Sequence, residues 1–510
     1  MKRLSGLDAG FLYLETPTSF MHVASLIVVD PATFTGPDGP WGFERVRQLF
    51  ASRLDQAPPF RRRLVEVPLG LHHPLWIEDP DFDLDWHLRH ITLPAPGGPA
   101  ELRRLVADLV AIPLDRTRPL WEAWVIDGLE GGLVALVTKV HHAAIDGASG
   151  EELMVALLDI SPEGDAKPEP EEPWVPDRVP TDTEMLGYGL WSLAQQPAMA
   201  VRTVRNTIEV ALQLRDRFAP TDTPTPSLPL TAPRTVLNHT LTPHRCLGLE
   251  TVSLSRVKAV KNAASCTVND VVLALCAGAL RSWLADRGDE PEGPLIAMVP
   301  VSVRSTDESG THGNKVSTAF ASLATDVDDP VERLCSIHES MATAKEAQEL
   351  IGADALQNWA EFAAPAVAAQ AARMYTSFHL ADRHRPLFNV TISNVPGPPF
   401  PLYVAGAEVV ATNPIGPIFD GAGLNITVMS YLDRLDFGLL GCPELTPDID
   451  ALAAGIAGAL VDLEAALGVG PEATPDTPAD TPAVTPADAP AVTEGPAPGT
   501  PADAGLPDGA

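Results

Sequence analysis

In the first 160 residues the apolar positions follow two rhythms. Residues 21–30 (MHVASLIVVD), 121–127 and 133–140 are short, nearly continuous apolar runs, which predict strands. Residues 43–56 place apolar side chains at helical spacing, and so does the stretch 148–159. The runs 121–127 and 133–140 are joined by Gly128-Leu129-Glu130-Gly131-Gly132, a connection that predicts a hairpin. Strand and helix patterns together make this segment an α/β unit.

Residues 161–183 break both rhythms. They are rich in Pro, Glu and Asp and read as a solvated linker. Residues 184–218 read as two amphipathic helical stretches broken at Pro197. The first sets Leu186, Leu190 and Leu193 on one side, the second Val201, Val204, Ile208 and Leu212. Another proline-rich stretch covers 220–233. Beyond it the pattern predicts strands at 247–254, 295–303, 388–392, 424–431 and 435–440. Helices are predicted at 268–284, 330–350, 355–381 (broken at Pro365) and 449–467. The expected organisation is thus an N-terminal unit 1–160, a proline-rich and helical linker 161–238, a second αβ unit 239–468 and a tail 469–510. From 471 onward the tail contains only Pro, Ala, Thr, Asp, Glu, Gly, Val and one Leu. Such a segment cannot build a core and is expected to be disordered.

Composition narrows the function classes. The 510 residues, 45% hydrophobic, are enough for two or three domains with a large core. The formal charge of −32 argues against nucleic-acid binding, because a phosphate backbone would be repelled. It also argues against docking on anionic lipid through a general basic surface. The tail's acidic groups account for only part of this charge. The five cysteines, Cys246, Cys266, Cys276, Cys335 and Cys442, form no CxxC pair and no zinc pattern, which fits reduced thiols in the cytoplasm. The N-terminus lacks an apolar signal core. No window of about 18 uninterrupted apolar residues is present, so no spanning helix is expected and membrane contact should be peripheral.

Candidate chemistry concentrates at the end of the run 133–140. His141-His142-Ala143-Ala144-Ile145-Asp146-Gly147 reads HHxxxDG and falls where a strand ends and the chain turns. A histidine placed there can act as a general base on a hydroxyl or thiol, since imidazole titrates near neutrality. Asp146, four residues on, is badly placed to partner the same ring. It is expected to pin the turn through a buried arginine, with Arg61, Arg62, Arg63 and Arg304 as candidates. The alternative for Arg61–Arg63 is a solvated basic patch. Gly147 allows a tight backbone. The pair His72-His73, followed by Pro74-Leu75-Trp76-Ile77-Glu78 and no DG, reads as a loop entering a strand.

Several ordered motifs together resemble the bacterial wax ester synthase/acyl-CoA:diacylglycerol acyltransferase family, over nearly everything except the tail. They are Leu7-Asp8-Ala9-Gly10-Phe11-Leu12 with Met21-His22-Val23; Pro119-Leu120-Trp121; the HHxxxDG segment; Val268-Asn269-Asp270-Val271; Pro300-Val301-Ser302-Val303-Arg304 with Gly313-Asn314; and Ser393-Asn394-Val395-Pro396-Gly397-Pro398. Condensation domains of peptide synthetases share HHxxxDG but not this combination. The resemblance implies two chloramphenicol acetyltransferase-like αβ sandwich domains whose interface forms a tunnel. Acyl-CoA and an acceptor would enter it from different mouths. It implies His142 as the base and His141 as a structural or positioning group. Asn269 would support the site, although Asn269-Asp270 also reads as a helix N-cap. Ser393 and Asn394 are expected near the oxyanion or tunnel, and Pro119, Leu120 and Trp121 as packing or tunnel lining. A thioester donor is already activated, so neither metal nor cofactor is expected.

Diacylglycerol and fatty alcohols are the acceptors that the resemblance implies, with diacylglycerol favoured. Both reside in membranes. The stretch 185–218, with Trp191, Arg202, Arg205 and Arg215, and the stretch 355–375 are therefore candidates for touching a membrane or lipid droplet. Two other readings stay open on sequence alone: a condensation-type enzyme using carrier-protein donors, and a non-catalytic lipid-binding protein.

Overall fold

The computed structural model describes residues 2–36, 39–54, 57–144, 158–164, 174–191, 231–302, 316–351 and 365–470. The expectations for 145–157, 192–230, 303–315, 352–364 and the tail from 471 lie outside the described residues. Residues 1–470 gather into one compact unit.

Two six-stranded sheets organise that unit. The first runs β12 (Tyr403–Val404), β13 (Ala407–Ile415), β2 (His22–Asp30), β7 (Val134–His141), β6 (Trp121–Asp127), β5 (Leu88–Thr92). Its centre is the hairpin read from the sequence, with Trp121 opposite Val140 and Ile126 opposite Ala135. Gly128, at φ +78°, starts the connection. A β-carbon there would stand 2.6 Å from Leu93 O, so only glycine fits. Strand β7 is buried along its whole length, as its continuous apolar run requires. Strand β13 comes from the middle of the segment 239–468. It pairs antiparallel with β2, Ile415 opposite Ala24, and so ties the C-terminal segment into the N-terminal sheet.

The second sheet runs β10 (Val316–Ser322), β9 (Ile296–Ser302), β11 (Val390–Val395), β14 (Leu424–Tyr431), β15 (Arg434–Gly441), β8 (Cys246–Ser253). Strand β11 is parallel to both its neighbours and the other pairs are antiparallel. Helices α5 (Val268–Ala285), α6 (Pro330–Ile351) and α8 (Ile449–Leu467) cover it, beside α4 (Leu254–Ala264). Leu275, Leu280, Phe437, Leu439 and Leu460 are fully buried in the resulting core. Helix α5 is long and apolar enough to cross a membrane by length and composition, but most of it lies inside this core.

Helices α2 (Phe43–Arg53) and α3 (Pro99–Val110) pack on the first sheet, and α1 (Gly6–Leu14) packs on the turn that follows β7. Helix α1 starts at Ser5, whose hydroxyl accepts from Asp8 N–H. A third sheet joins β1 (Lys2–Arg3), β4 (Leu75–Glu78) and β3 (Arg62–Val65). Helix α7 (Pro365–Ser377) packs against α1 and against the turn 68–70. Residues 182–191 are helical, as expected. Met185 and Gly189 turn inward onto Val67 and Leu71, while Leu186 and Leu190 face outward.

Candidate active site

The last residue of β7 and the turn after it deliver the two histidines. His141 sits opposite His22 across the β2–β7 ladder, and its N–H donates to Leu120 O at 2.9 Å. His142–Ala144 then forms a single 3-10 turn, entered as His142 N–H donates to Met21 O at 2.8 Å. In that turn Ala143 N–H donates to His141 Nδ1 at 3.0 Å. An accepting Nδ1 leaves the imidazole proton on Nε2.

His141 Nε2 is aimed at a carboxylate. It lies 3.2 Å from Glu15 Oε1, at ion-pair distance but out of hydrogen-bond alignment. Glu15 stands just past the end of α1 and is nearly saturated. Its Oε1 accepts from Met21 N–H at 3.0 Å, and its Oε2 from Arg116 Nη2 at 2.7 Å. Arg116 also donates to Leu12 O at 2.6 Å, fastening itself to the same helix end. Burial alone would raise the Glu15 pKa. His141, then Arg116 and the Met21 N–H, outweigh it and hold the carboxyl at about 2. Glu15 is therefore a carboxylate fixed beside His141 and ionised throughout the neutral range.

His142 is treated differently. Its ring stacks on Phe11 of α1, centroids 4.1 Å apart and planes 17° apart. Nδ1 is enclosed and has no hydrogen-bond partner among the described residues. Burial, and then the neighbouring His141, push its pKa down to about 4, so at neutral pH the ring is uncharged and free to accept a proton. Two adjacent histidines thus have separate surroundings: one is held by a carboxylate, the other lies flat against an aromatic ring.

Further buried charge lies along the same strands. Lys139, two residues before His141, is fully buried. It bonds Glu122 at 3.1 Å and donates to Leu109 O and Ile112 O. Burial lowers its pKa, and Glu122 opposes that fall. His22 donates from Nε2 to Val110 O at 2.8 Å. Burial, with the Lys139 charge, keeps it uncharged at a pKa of about 3.

Other residues singled out in the sequence fall in three places. Leu120 is fully buried with Leu12 and Ala143 under α1. Trp121 is buried between Phe50, Phe60 and His87, with its indole N–H on Phe60 O, so this motif packs. Pro119 O accepts from Trp121 N–H. Asn394 Nδ2 donates to Asn269 Oδ1 at 3.4 Å, joining the end of β11 to the start of α5. Ser393 lies beside it on β11, and Gly397 follows where a β-carbon would meet Ser430 O at 2.0 Å. No hydrogen bond, ion pair or ring contact among the described residues joins this group to His141 or His142. Asp146, Gly147 and Arg304 lie outside the described residues.

Two local expectations need correction. The cap of α5 is Thr267, and Asp270 is its third residue. Thr267 N–H donates to Asp270 Oδ2 and Asp270 N–H to Thr267 Oγ1, a reciprocal capping box. The same buried carboxylate accepts from His338 Nδ1 at 2.8 Å. Arg61–Arg63 are not a solvated patch either. Arg62 pairs with Glu78 and Arg63 with Asp79 across β3 and β4, and Arg61 lies over Trp174. His72 and His73 are buried in the loop that enters β4, as expected, with His73 Nδ1 sharing a 2.8 Å hydrogen bond with Tyr13 Oη.

Sequence reasoning missed Phe11, Glu15 and Arg116 as neighbours of the histidines. The segment holding Phe11 stood out only as a motif, because nothing local tells that a helix near residue 10 folds over a turn near residue 142.

Comparison with known proteins agrees with this architecture. The wax ester synthase/diacylglycerol acyltransferase catalytic domain matches residues 4–272, and that family's C-terminal domain matches 312–464. Two proteins of Mycobacterium tuberculosis strain H37Rv, each provisionally named a diacylglycerol O-acyltransferase, are similar. One is 37% identical over 465 residues, 91% of this chain and 90% of that protein. The other is 35% identical over 474 residues, 93% and 98% respectively. The solved wax ester synthase/diacylglycerol acyltransferase from Marinobacter aquaeolei VT8 matches with a TM-score of 0.64 at 30% identity, over 92% of this chain and all of that one. A condensation domain of the calcium-dependent antibiotic synthetase, at 19% identity and TM-score 0.54, over 91% of this chain and 96% of that one, shares the fold. With its catalytic-domain match spanning the histidine turn, the chain belongs to the wax ester synthase/diacylglycerol acyltransferase family.

Proposed function

We propose that this acyltransferase moves a long-chain acyl group from acyl-CoA to the free hydroxyl of diacylglycerol, and to fatty alcohols as second acceptors, with His142 as general base. The observation that carries this reading is the uncharged, partly buried His142 ring laid against Phe11. With Nδ1 enclosed, Nε2 is the nitrogen that meets the acceptor. It takes the hydroxyl proton as the oxygen attacks the thioester carbonyl. The tetrahedral oxyanion collapses, the C–S bond breaks, and the imidazolium returns its proton to the CoA sulfur. Ester and free CoA leave, and His142 is neutral again. The thioester supplies the activation, so the step calls on no metal or cofactor.

In this scheme His141 is a positioning residue. Its fixed tautomer and its link to Glu15 hold the strand end from which His142 projects. Asn269, Asn394 and Ser393 support the oxyanion side of a tunnel that carries donor and acceptor to the ring from separate mouths. The protein works in the cytoplasm and meets its acceptors at a membrane or lipid-droplet surface.

The test is turnover of a long-chain acyl-CoA by the purified protein, with diacylglycerol and hexadecanol in separate reactions beside His142→Ala. Ester product that disappears in the folded variant is expected. Full activity in His142→Ala would remove the base, and no ester or free CoA from either acceptor would remove the substrate pair.

A further inference from the structure

Hydrolysis of a thioester runs downhill, and a base that takes a proton from an alcohol can take one from water. A site that turns acyl-CoA into ester must therefore keep water away from its base. Phe11 stands where that exclusion is needed. Its ring lies over the His142 imidazole, centroids 4.1 Å apart and planes 17° apart, and covers one face of it. With Nδ1 enclosed, only Nε2 is left for a nucleophile to approach.

The surroundings of the turn offer little to hold water. Ala9 and Leu12, on the same helix as Phe11, are buried with Leu120 and Ala143. An ordered water wants roughly 2–4 polar partners, and the polar groups described here are turned on one another. Glu15 Oε1 accepts from Met21 N–H and its Oε2 from Arg116, while His141 Nδ1 accepts from Ala143 N–H.

The fold also fixes the helix that carries Phe11. A helix of nine residues is too short to persist alone, so α1 depends on its ties. Ser5 Oγ accepts from Asp8 N–H at 3.1 Å at its start. Tyr13 Oη shares a 2.8 Å hydrogen bond with His73 Nδ1, in the loop that enters β4. Arg116 donates to Leu12 O at 2.6 Å, and α7 packs along the helix. Ties from three separate segments hold the Phe11 ring over the base.

We propose that Phe11 decides which nucleophile His142 activates: by covering the base it bars water, so that the acyl group passes to an alcohol. The proposal rests on the acyl-transfer reading for the reaction that it protects. Without the ring, water gives its proton to His142 Nε2 as its oxygen attacks the thioester carbonyl. The C–S bond breaks, the imidazolium returns the proton to the CoA sulfur, and a free fatty acid leaves in place of the ester.

The experiment compares the unaltered full chain with Phe11→Ala and Phe11→Leu, after thermal melts show all three folded. Ester and free fatty acid are measured per CoA released from a long-chain acyl-CoA, with hexadecanol and without it. Phe11→Ala is expected to raise the ratio of fatty acid to ester about tenfold or more. Phe11→Leu, which keeps apolar bulk over the ring, should restore most of the coupling. Should Phe11→Ala fail to fold, Phe11→Val takes its place with the same expected direction. A fall of fatty acid and ester together, with their ratio unchanged, overturns the proposal and leaves Phe11 a packing residue.

A second readout needs no turnover: exchange of the His142 Cε1–H for deuterium, followed across pH by mass spectrometry. Its midpoint should lie near pH 4 in the unaltered chain and move toward the ordinary 6.5 in Phe11→Ala, with faster exchange. Identical exchange in the two chains also overturns the proposal. If neither makes ester from any acceptor while the exchange responds as expected, the acyl-transfer reading fails and the shielding of His142 by Phe11 stands.

Discussion

The two six-stranded sheets bury their polar groups for different ends. In the second sheet they stitch the backbone. Asn389 takes Ile296 N–H and donates to Pro233 O, and Asp436 is enclosed by Arg434 and Thr251. In the first sheet His22, Lys139, His141 and Glu122 are buried on adjacent strands, and His142 follows with its ring nitrogen unpartnered among the described residues. Burying ionisable groups is costly unless they are paired or held neutral. A sheet that tolerates several, and where burial lowers the pKa of His22, Lys139 and His142, concentrates cost where chemistry is proposed. The second sheet bears the larger apolar core and the first carries the histidine pair proposed to react.

Substitution in each sheet should break the two properties apart. His142→Ala is expected to lower ester formation by about 100-fold or more, with little change in Tm, since the ring has no bonded partner to lose among the described residues. Phe437→Ala in the second core should cost about 3–5 kcal/mol of stability in denaturant titrations. Its activity per folded molecule should be unaltered. Equal damage to both properties in both variants would dissolve the distinction.

Glu15→Gln sharpens it within the first sheet. The amide keeps the shape but removes the charge that His141 and Arg116 share. Activity should fall on the order of tenfold, the scale of a misaligned group, mainly in kcat, while a solely structural Glu15 would lower Tm and leave kcat alone.

The pH dependence of stability is a smaller effect with a fixed sign. Burial holds His22, His87 and His142 below the ordinary imidazole value, at about 3, 4 and 4. Below about pH 6.5 the unfolded chain takes up protons that the folded one refuses, so stability falls as pH drops from 6.5 toward 4. Glu15 acts lower: its contribution is present above its ordinary value near 4.5 and is lost as pH falls toward about 2. Melts between pH 8 and 4.5 should show Tm constant down to about 6.5 and declining below it. The smallest effect is expected from deleting 471–510, which should leave kcat/KM and Tm unchanged because its Pro/Ala/Thr/Asp composition supplies few apolar side chains for a core.

Legibility from sequence followed the range of the interactions. The hairpin of β6 and β7, strand β14 and helix α8 were readable because their periodicity is local. The histidine turn was readable because a strand end and a motif coincide. Strand β13 was not, since its pairing with β2 joins distant segments and its run Ala407–Ile415 is interrupted by polar residues. The cap of α5 was misplaced by two or three residues because Thr, Asn and Asp all suit a helix start, and only geometry assigns cap and third position. The first amphipathic stretch was readable as a helix, but its periodicity did not say which side packs: Met185 and Gly189 turn inward while Leu186 and Leu190 stay exposed. Glu15 and Phe11 were invisible as neighbours of the histidines for the same reason as β13.

The measurement that bears most directly on the buried neutral base is the pH profile of kcat/KM for acyl-CoA and hexadecanol, on protein shown by circular dichroism to stay folded across the range. With His142 uncharged down to about pH 4, the profile should be flat from neutrality to about pH 5.5 and bend only below about 5. An inflection near pH 6.5 that belongs to His142 would contradict the account, because it would place the base in an ordinary solvated environment.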